Sequence, residues 1–327
     1  MKFVLKTLSN SFIPECNLAQ IVYNMKLFYY QRPDKISNFG DALNPWLWNK
    51  LLPDVFDNDE TTMFIGIGTV INNLLPIRIP SAHQIIIFSS GVGYEKGVPV
   101  LDNKWQIYCV RGLLSAQKLG IPEELAVTDG AILVRRLFKP SGHKTHSFGF
   151  MPHIHHANYG GKLWESICSE IEFNYIDPRW PVEQVLTAIS EVEILLAEAM
   201  HGAIVADGLR VPWIPIRTSP RILAFKWQDW CSSIEVQYQP KYLIPLLEVY
   251  PPVARGIRSS IQAASHWLSW VKQESFSALN QQWQDKQKLS ATQLMRIAQT
   301  SRPILSSDRR IEELTLKLEE RLSQIRL

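Results

Sequence analysis

His201 holds the strongest chemical promise in this chain, because histidine changes charge near neutral pH without needing a large shift. It lies in a segment from Leu195 to Ile216 that reads as a buried strand, a tight junction carrying Glu198 and His201, a small-residue helix from Gly202 to Gly208, and a second buried strand. In an open α/β sheet, ligands sit at the carboxyl ends of strands. A helix that begins there, with Gly202 in its first turn, turns free N–H groups toward an anion. A proton-transfer group beside an anion site is the pairing that chemistry with a departing phosphate needs.

Other positions carry compatible chemistry. Asp41, with Asn38 and Gly40, sits in a glycine turn entering a helix from Ala42 to Leu52. Its carboxylate can take a proton from a hydroxyl or orient a sugar, and it can equally serve as an N-cap. Arg111 follows an apolar run and precedes Gly112 and a helix. A planar guanidinium there suits a carboxylate or phosphate, the competing assignment being an interdomain ion pair. His153 ends another run and can bind phosphate or carboxylate. The nearby His155 and His156 suggest a metal cluster, but His-x-His-His on a loop without an acidic neighbour is a poor zinc pattern, and no metal is expected. Glu198 can orient His201 or bind a sugar hydroxyl. Asp129 reads as a helix cap.

The elements that must position these residues alternate. Apolar runs at Leu27–Tyr30, Met63–Ile67, Gln84–Phe88, Ile107–Val110 and Leu125–Val127 each end in Gly, Ser, Asp or Arg, with helices at Ala42–Leu52 and Leu113–Leu119. A second set begins after Pro140: runs at Ser147–Met151 and Phe173–Ile176, with helices at Trp164–Glu172 and Val182–Ser190. Such alternation predicts parallel sheets with crossover helices. The expected organisation is an N-terminal extension (1–24), two sheet domains (25–140 and 141–250) and a helical tail (251–327). Met25-Lys26 directly precedes the first strand and is a candidate start of the functional unit.

Composition narrows the function classes. Hydrophobic content of 46% fits a globular chain with ample core, and a net charge of +3 gives no case for nucleic acid. The four cysteines show no paired spacing, so disulfides and zinc are not expected and a reducing cytoplasmic setting fits. No run approaches the length of a spanning helix. Trp105, Trp213, Trp227 and Trp230 flank the candidate segments; sugar platform and core are both open to them. Ile311, Leu314, Leu318, Leu322 and Ile325 share one helical face. That face can pack on its own domain, or form a short coiled coil that makes a homo-oligomer.

Several ordered words match a known family: Asn38–Pro45, Ile65–Thr69, Gly91–Tyr94, Cys109–Gly112, Thr128–Leu133, Phe150–His153, Glu198–Asp207 and Lys226–Trp230. On these the chain resembles the polysaccharide pyruvyl transferases, most closely the succinoglycan-type exopolysaccharide branch, over about residues 25 to 235. The resemblance implies two Rossmann-like domains facing a cleft, similar to the GT-B arrangement. It implies phosphoenolpyruvate as donor, a glycan or lipid-linked oligosaccharide as acceptor, and a pyruvate ketal and phosphate as products. It also implies that Arg111 binds donor and His201 donates the proton. Relatives often carry arginine two residues before that histidine. Here the position is Ala199, so another cation must contribute, with Arg210, Arg217, Arg221 and Lys226 as candidates.

Ketal formation from an enol phosphate needs an acid for the methylene carbon (His201), a base for the hydroxyl (Asp41), and groups that hold both anions. No metal or redox cofactor is required in principle. A GT-B-type nucleotide-sugar glycosyltransferase and a non-catalytic glycan-assembly protein are the competing functions. A lipid-linked acceptor would bring the protein to the inner membrane face as a peripheral partner.

Overall fold

The computed structural model describes residues 24–94, 97–219, 222–244, 246 and 276–325. Strands β1 (Lys26–Phe28), β2 (Thr62–Ile65), β3 (Gln84–Phe88) and β4 (Trp105–Cys109) form a parallel sheet in that order. Strands β5 (His146–Met151), β6 (Asn174–Tyr175), β7 (Val192–Ala197), β8 (Trp213–Arg217) and β9 (Lys241–Tyr242) form a second parallel sheet in the order β6-β5-β7-β8-β9. Central strands read as continuous apolar runs because both faces are covered; Ile85, Ile86, Ile87 and Phe88 of β3 are all buried. In the second sheet the strand order reverses between β6 and β7, which flank β5. The carboxyl ends of β5 and β7 therefore border a topological switch point, where open sheets leave a crevice.

The helices are α1 (Phe39–Leu51), α2 (Leu75–Arg78), α3 (Leu113–Leu119), α4 (Val134–Leu137), α5 (Ile154–Glu170), α6 (Val182–Ser190), α7 (Met200–Gly208), α8 (Ala224–Ser233), α9 (Phe276–Thr300) and α10 (Asp308–Ser323). The strand–helix alternation is as expected, but three elements differ. The run at Leu125–Val127 is no strand: Glu123–Leu125 is a 3-10 turn, and only a single bridge from Ala126 reaches Val110. Helix α5 starts ten residues earlier than expected, with His153 as its N-cap and a kink at Gly160 that interrupts the helical pattern. His155 and His156 thus lie in its first turn, not on a loop. Helix α1 begins three residues early and contains Pro45. Proline cannot donate to the carbonyl four residues back, and the Asn44 side chain donates to that Asp41 carbonyl instead, at 3.2 Å.

The core is shared rather than partitioned. One apolar cluster holds Phe64 and Phe88 from the first sheet together with Leu195 and Ala197 from the second. Helix α9 sends Ala291, Leu294 and Ile297 into a cluster with Phe150 and Ile214 of the second sheet. Helix α10 crosses to the first sheet and packs beside β4. Ile311, Leu314, Leu318 and Leu322 of this helix, and Ile325 just past its end, are buried within this chain, while Leu316 on the opposite side is exposed. Arg135 and Arg136 of α4 clamp its outer side, Arg136 reaching Glu312 at 2.5 Å and Glu319 at 2.9 Å. The face proposed for a homo-oligomer is therefore covered by the protein itself. Trp213, Trp227 and Trp230 pack against one another at tilted and edge-on angles in the core, so they are not sugar platforms. Cys109, Cys168 and Cys231 are buried free thiols. Among the described residues no helix is long and apolar enough to cross a membrane. The candidate start at Met25 follows residues outside the described set, although Met25 itself is fully buried.

Leu318→Ala should cost about 2–5 kcal/mol in denaturant unfolding, as for other large-to-small core changes. The loss should not vary with protein concentration, as it would if α10 packed between subunits.

Candidate active site

A cavity of about 440 Å³ opens where the carboxyl ends of the two sheets meet. Its walls come from the loop after β1 (Tyr30, Arg32), the start of α1 (Asn38 to Asp41), the Gly68–Asn72 loop after β2, Arg78 and Tyr94. The second sheet adds Met151 and His153 after β5, Ala199 to His201 after β7, and Lys226 of α8. Asp41 is the sole carboxylate among the lining residues, against the cations Arg32, Arg78 and Lys226.

His201 lies in the first turn of α7, one residue inside its start. Its ring is pressed against Gly40 so closely that a Cβ there would come within 2.1 Å of Nδ1. Gly40 thus joins the α1 and α7 walls through contact. Nε2 is enclosed and has no hydrogen-bond partner; Asp129 Oδ2, also buried and unpartnered, lies 3.8 Å away. Burial, helped by Lys226 and Arg111, pushes the His201 pKa down to about 3, so the ring is neutral. Gly202 does not line the cavity. Its N–H is taken by the Ala199 carbonyl at 3.0 Å, and a Cβ would strike Met151 Sδ. The helix N–H groups left for an anion are therefore those of Met200 and His201.

Asp41 is the third residue of α1, and the N-cap position belongs to Asn38. Asn38 Nδ2 donates to Asp41 Oδ2 at 2.7 Å. Burial raises the Asp41 pKa to about 6, against the opposing pull of Asn38, Lys226 and Arg32. A carboxyl poised there can exchange a proton near neutral pH.

Arg111 is fully buried and lies behind the cavity wall. Its Nε donates to Asp229 of α8 at 3.0 Å, Nη1 to Thr69 Oγ1 at 2.6 Å, and Nη2 to the Val92 carbonyl at 3.4 Å. The ion pair considered for Arg111 is thus present, joining the end of β4 to α8, and the guanidinium reaches the cavity only through Thr69. Lys226, one turn before Asp229, is the candidate cation that does line it; its Nζ donates to Tyr94 Oη at 2.9 Å. Arg210 instead meets Ser306 and Asp308, Arg217 Nε donates to the Ser219 carbonyl, and Arg221 lies outside the described residues.

Glu198 neither orients His201 nor faces the cavity. Fully buried, it accepts from the His153 N–H (2.9 Å), His156 Nδ1 (2.6 Å) and the Thr218 N–H (3.0 Å). Burial alone would raise its pKa, but these bonds outweigh it and hold the carboxyl below its ordinary value. It fixes the turn that presents His153. Burial, with Lys226 and the neighbouring histidines, holds His153 neutral. Its Nδ1 accepts from the His155 N–H at 3.4 Å, which leaves the ring proton on Nε2 as a donor. Among the described residues no group of three or more His, Cys, Asp or Glu is placed to hold a metal ion.

Sequence reasoning missed Arg32 and Arg78. Arg32 Nε and Nη2 pair with Asp34 at 3.0 and 2.5 Å, and the Arg78 guanidinium stands 6.0 Å from the Tyr30 ring centre. Arg32 follows a strand end, the one signal that pointed to it; Arg78 sits in a one-turn helix with none.

Two outcomes follow from these environments. Arg111→Met leaves Asp229 buried without its counter-charge and should cost about 3–5 kcal/mol in urea unfolding. Asp41 titrates near 3.8 when unfolded and about 6 when folded, so its ionisation opposes folding above pH 6, and the penalty fades as pH falls toward 4. Asp41→Asn should therefore be more stable than the parent at pH 8 by about 2–3 kcal/mol, with the gain gone at pH 4, in parallel melts.

The sequence signature of the polysaccharide pyruvyl transferases matches residues 21–220, a span that holds every cavity element up to α7. The chain is also 38% identical over 245 residues to the succinoglycan biosynthesis protein ExoV of Rhizobium meliloti (strain 1021), covering 74% of this chain and 73% of that one. With the ordered motifs gathered round one cavity and the match extending over most of the chain, the protein belongs to the polysaccharide pyruvyl transferase family and is a pyruvyl transferase.

Proposed function

We propose that the protein transfers the pyruvyl group of phosphoenolpyruvate to a sugar of an exopolysaccharide or its lipid-linked precursor, forming a pyruvate ketal and releasing phosphate. The observation that carries this reading is the cavity itself. Three cations and an open helix N-terminus line it, together with three histidines (His153, His155 and His201) and one carboxyl, Asp41. A donor bearing a carboxylate and a phosphate matches that charge. The relative's name attaches it to succinoglycan, which supports an exopolysaccharide acceptor here. The two sheets with their carboxyl ends on a shared cavity support a GT-B-like arrangement.

Lys226, Arg32, Arg78 and the Met200 and His201 N–H groups hold the donor anions. Their negative charge raises the His201 pKa, and the imidazolium gives its proton to the methylene carbon. The π electrons of the enol form the new C–H bond, leaving an oxocarbenium-like centre at C2. The first sugar hydroxyl adds there as Asp41 takes its proton. The second hydroxyl then displaces phosphate, which leaves with the C2–O bonding pair and accepts the remaining proton. Arg111 acts from behind, fixing Thr69 and, through Asp229, the helix that carries Lys226.

Phosphoenolpyruvate should raise the melting temperature of the purified chain, while UDP-, GDP- and CMP-sugars should not. With a saccharide acceptor, phosphate release should follow, and His201→Ala should lower kcat by about 100-fold or more while the donor-induced shift persists. A shift with a nucleotide-sugar alone would replace this reading with glycosyl transfer.

A further inference from the structure

We propose that Asp129 is the positioning residue for His201, accepting the Nε2–H of its ring so that Nδ1 serves the cavity. The proposal rests on His201 being the acid of the proposed reaction, but its geometry stands apart from that. Among the described residues, Asp129 Oδ2 and His201 Nε2 are both enclosed and both without a hydrogen-bond partner, and they face each other across 3.8 Å. Buried polar atoms are almost always satisfied. A hydrogen bond needs about 1 Å less separation, and closure here calls for a joint shift of the two side chains.

The surroundings hold both groups in place. Asp129 Oδ1 accepts from the Ala131 N–H at 3.0 Å, so the helix cap read from sequence is real and uses only one carboxylate oxygen. Gly130 is packed so tightly that a Cβ would come within 2.4 Å of Ser89 Oγ and 3.0 Å of Trp48, which stops the loop from backing away. Gly40 presses the imidazole from the other side at Nδ1. A carboxylate only accepts hydrogen bonds, so the pairing places the ring proton on Nε2 and leaves Nδ1 as the nitrogen that exchanges protons with a ligand. In the proposed step the imidazolium loses its proton from Nδ1 to the methylene carbon, and the neutral ring that remains is the Nε2–H tautomer Asp129 favours. Arg111 bears on both groups; Asp229 adds negative charge near Asp129, and Lys226 adds positive charge near His201. With the contact closed, the Asp129 carboxylate would offset those cations at the ring.

The test uses Asp129→Asn in the full chain, since an asparagine oxygen can still accept from Ala131; Asp129→Ser, which also keeps a cap oxygen, stands in should that variant not fold. Ring nitrogen shifts of His201, assigned by their loss in His201→Ala, should show the Nε2–H tautomer in the parent. In the variant that preference should weaken and the ring should titrate at lower pH. Phosphate release from phosphoenolpyruvate should lose about 10- to 1000-fold in kcat, with KM for the donor within about threefold. Unchanged ring shifts and titration, or an unchanged kcat, would overturn the proposal. A lost tautomer preference in a protein that never turns over phosphoenolpyruvate would uphold the pairing and defeat only the proposed function.

Discussion

The buried contact between Arg111 and Asp229 governs how the two sheets meet. Two charges taken out of water cost several kcal/mol each, and their attraction offsets this only when the remaining hydrogen-bonding capacity is filled. Here it is filled: Asp229 also accepts from the Ser115 N–H and hydroxyl, and Arg111 also donates to Thr69 and Val92. Such a network tolerates little displacement. It ties α8 to the first turn of α3, and Lys226, three residues before Asp229, is carried to the cavity by that attachment. The arginine read as a ligand-binding group is held in this network, which also places Lys226 on the cavity wall.

Close approach explains several glycines in the motif words, whereas Gly68, at φ +137° with no neighbour nearer than 3.5 Å, is required for its backbone conformation. A Cβ at Gly91 would lie 2.2 Å from the Arg111 guanidinium carbon, and one at Gly112 would lie 2.0 Å from the Asp229 carbonyl oxygen. Gly40 makes room for His201 in the same way. The first word owes its spacing to a second device. The Asn44 amide donates to the Ile67 carbonyl and accepts from the Ile67 N–H, latching α1 to the Gly66–Gly68 turn. Each word is thus one half of a contact whose other half lies elsewhere in the chain.

That pairing marks the limit of what the sequence shows. Local signals sufficed for α3, bounded by Gly112 and Gly120, and for α6, whose apolar period is clean. They sufficed also to bring Asp41 from one sheet and His153 and His201 from the other to a common cleft, since ligand groups gather at the carboxyl ends of parallel strands, although Arg111, expected with them, lies behind the wall. They failed where partners are distant. Glu198 sits three residues from His201 yet serves His153, His156 and Thr218, because a strand end turns successive side chains to opposite sides. The start of α5 was hidden because its cap is a histidine, an unusual capping residue.

Electrostatics accounts for the uncharged state of His201, the acid of the proposed reaction. Bringing His201 from about 3 to near 7 takes roughly 5 kcal/mol. One unit charge at about 4 Å supplies roughly 4 kcal/mol at the effective dielectric of a partly screened site. A ligand with a single unit charge falls short, whereas a carboxylate and a phosphate together suffice. The same neutral ring spares the cavity a further positive charge beside Arg32, Arg78 and Lys226. On this arithmetic the proposed donor carries the charge that arms its own acid, so proton transfer is confined to the occupied site.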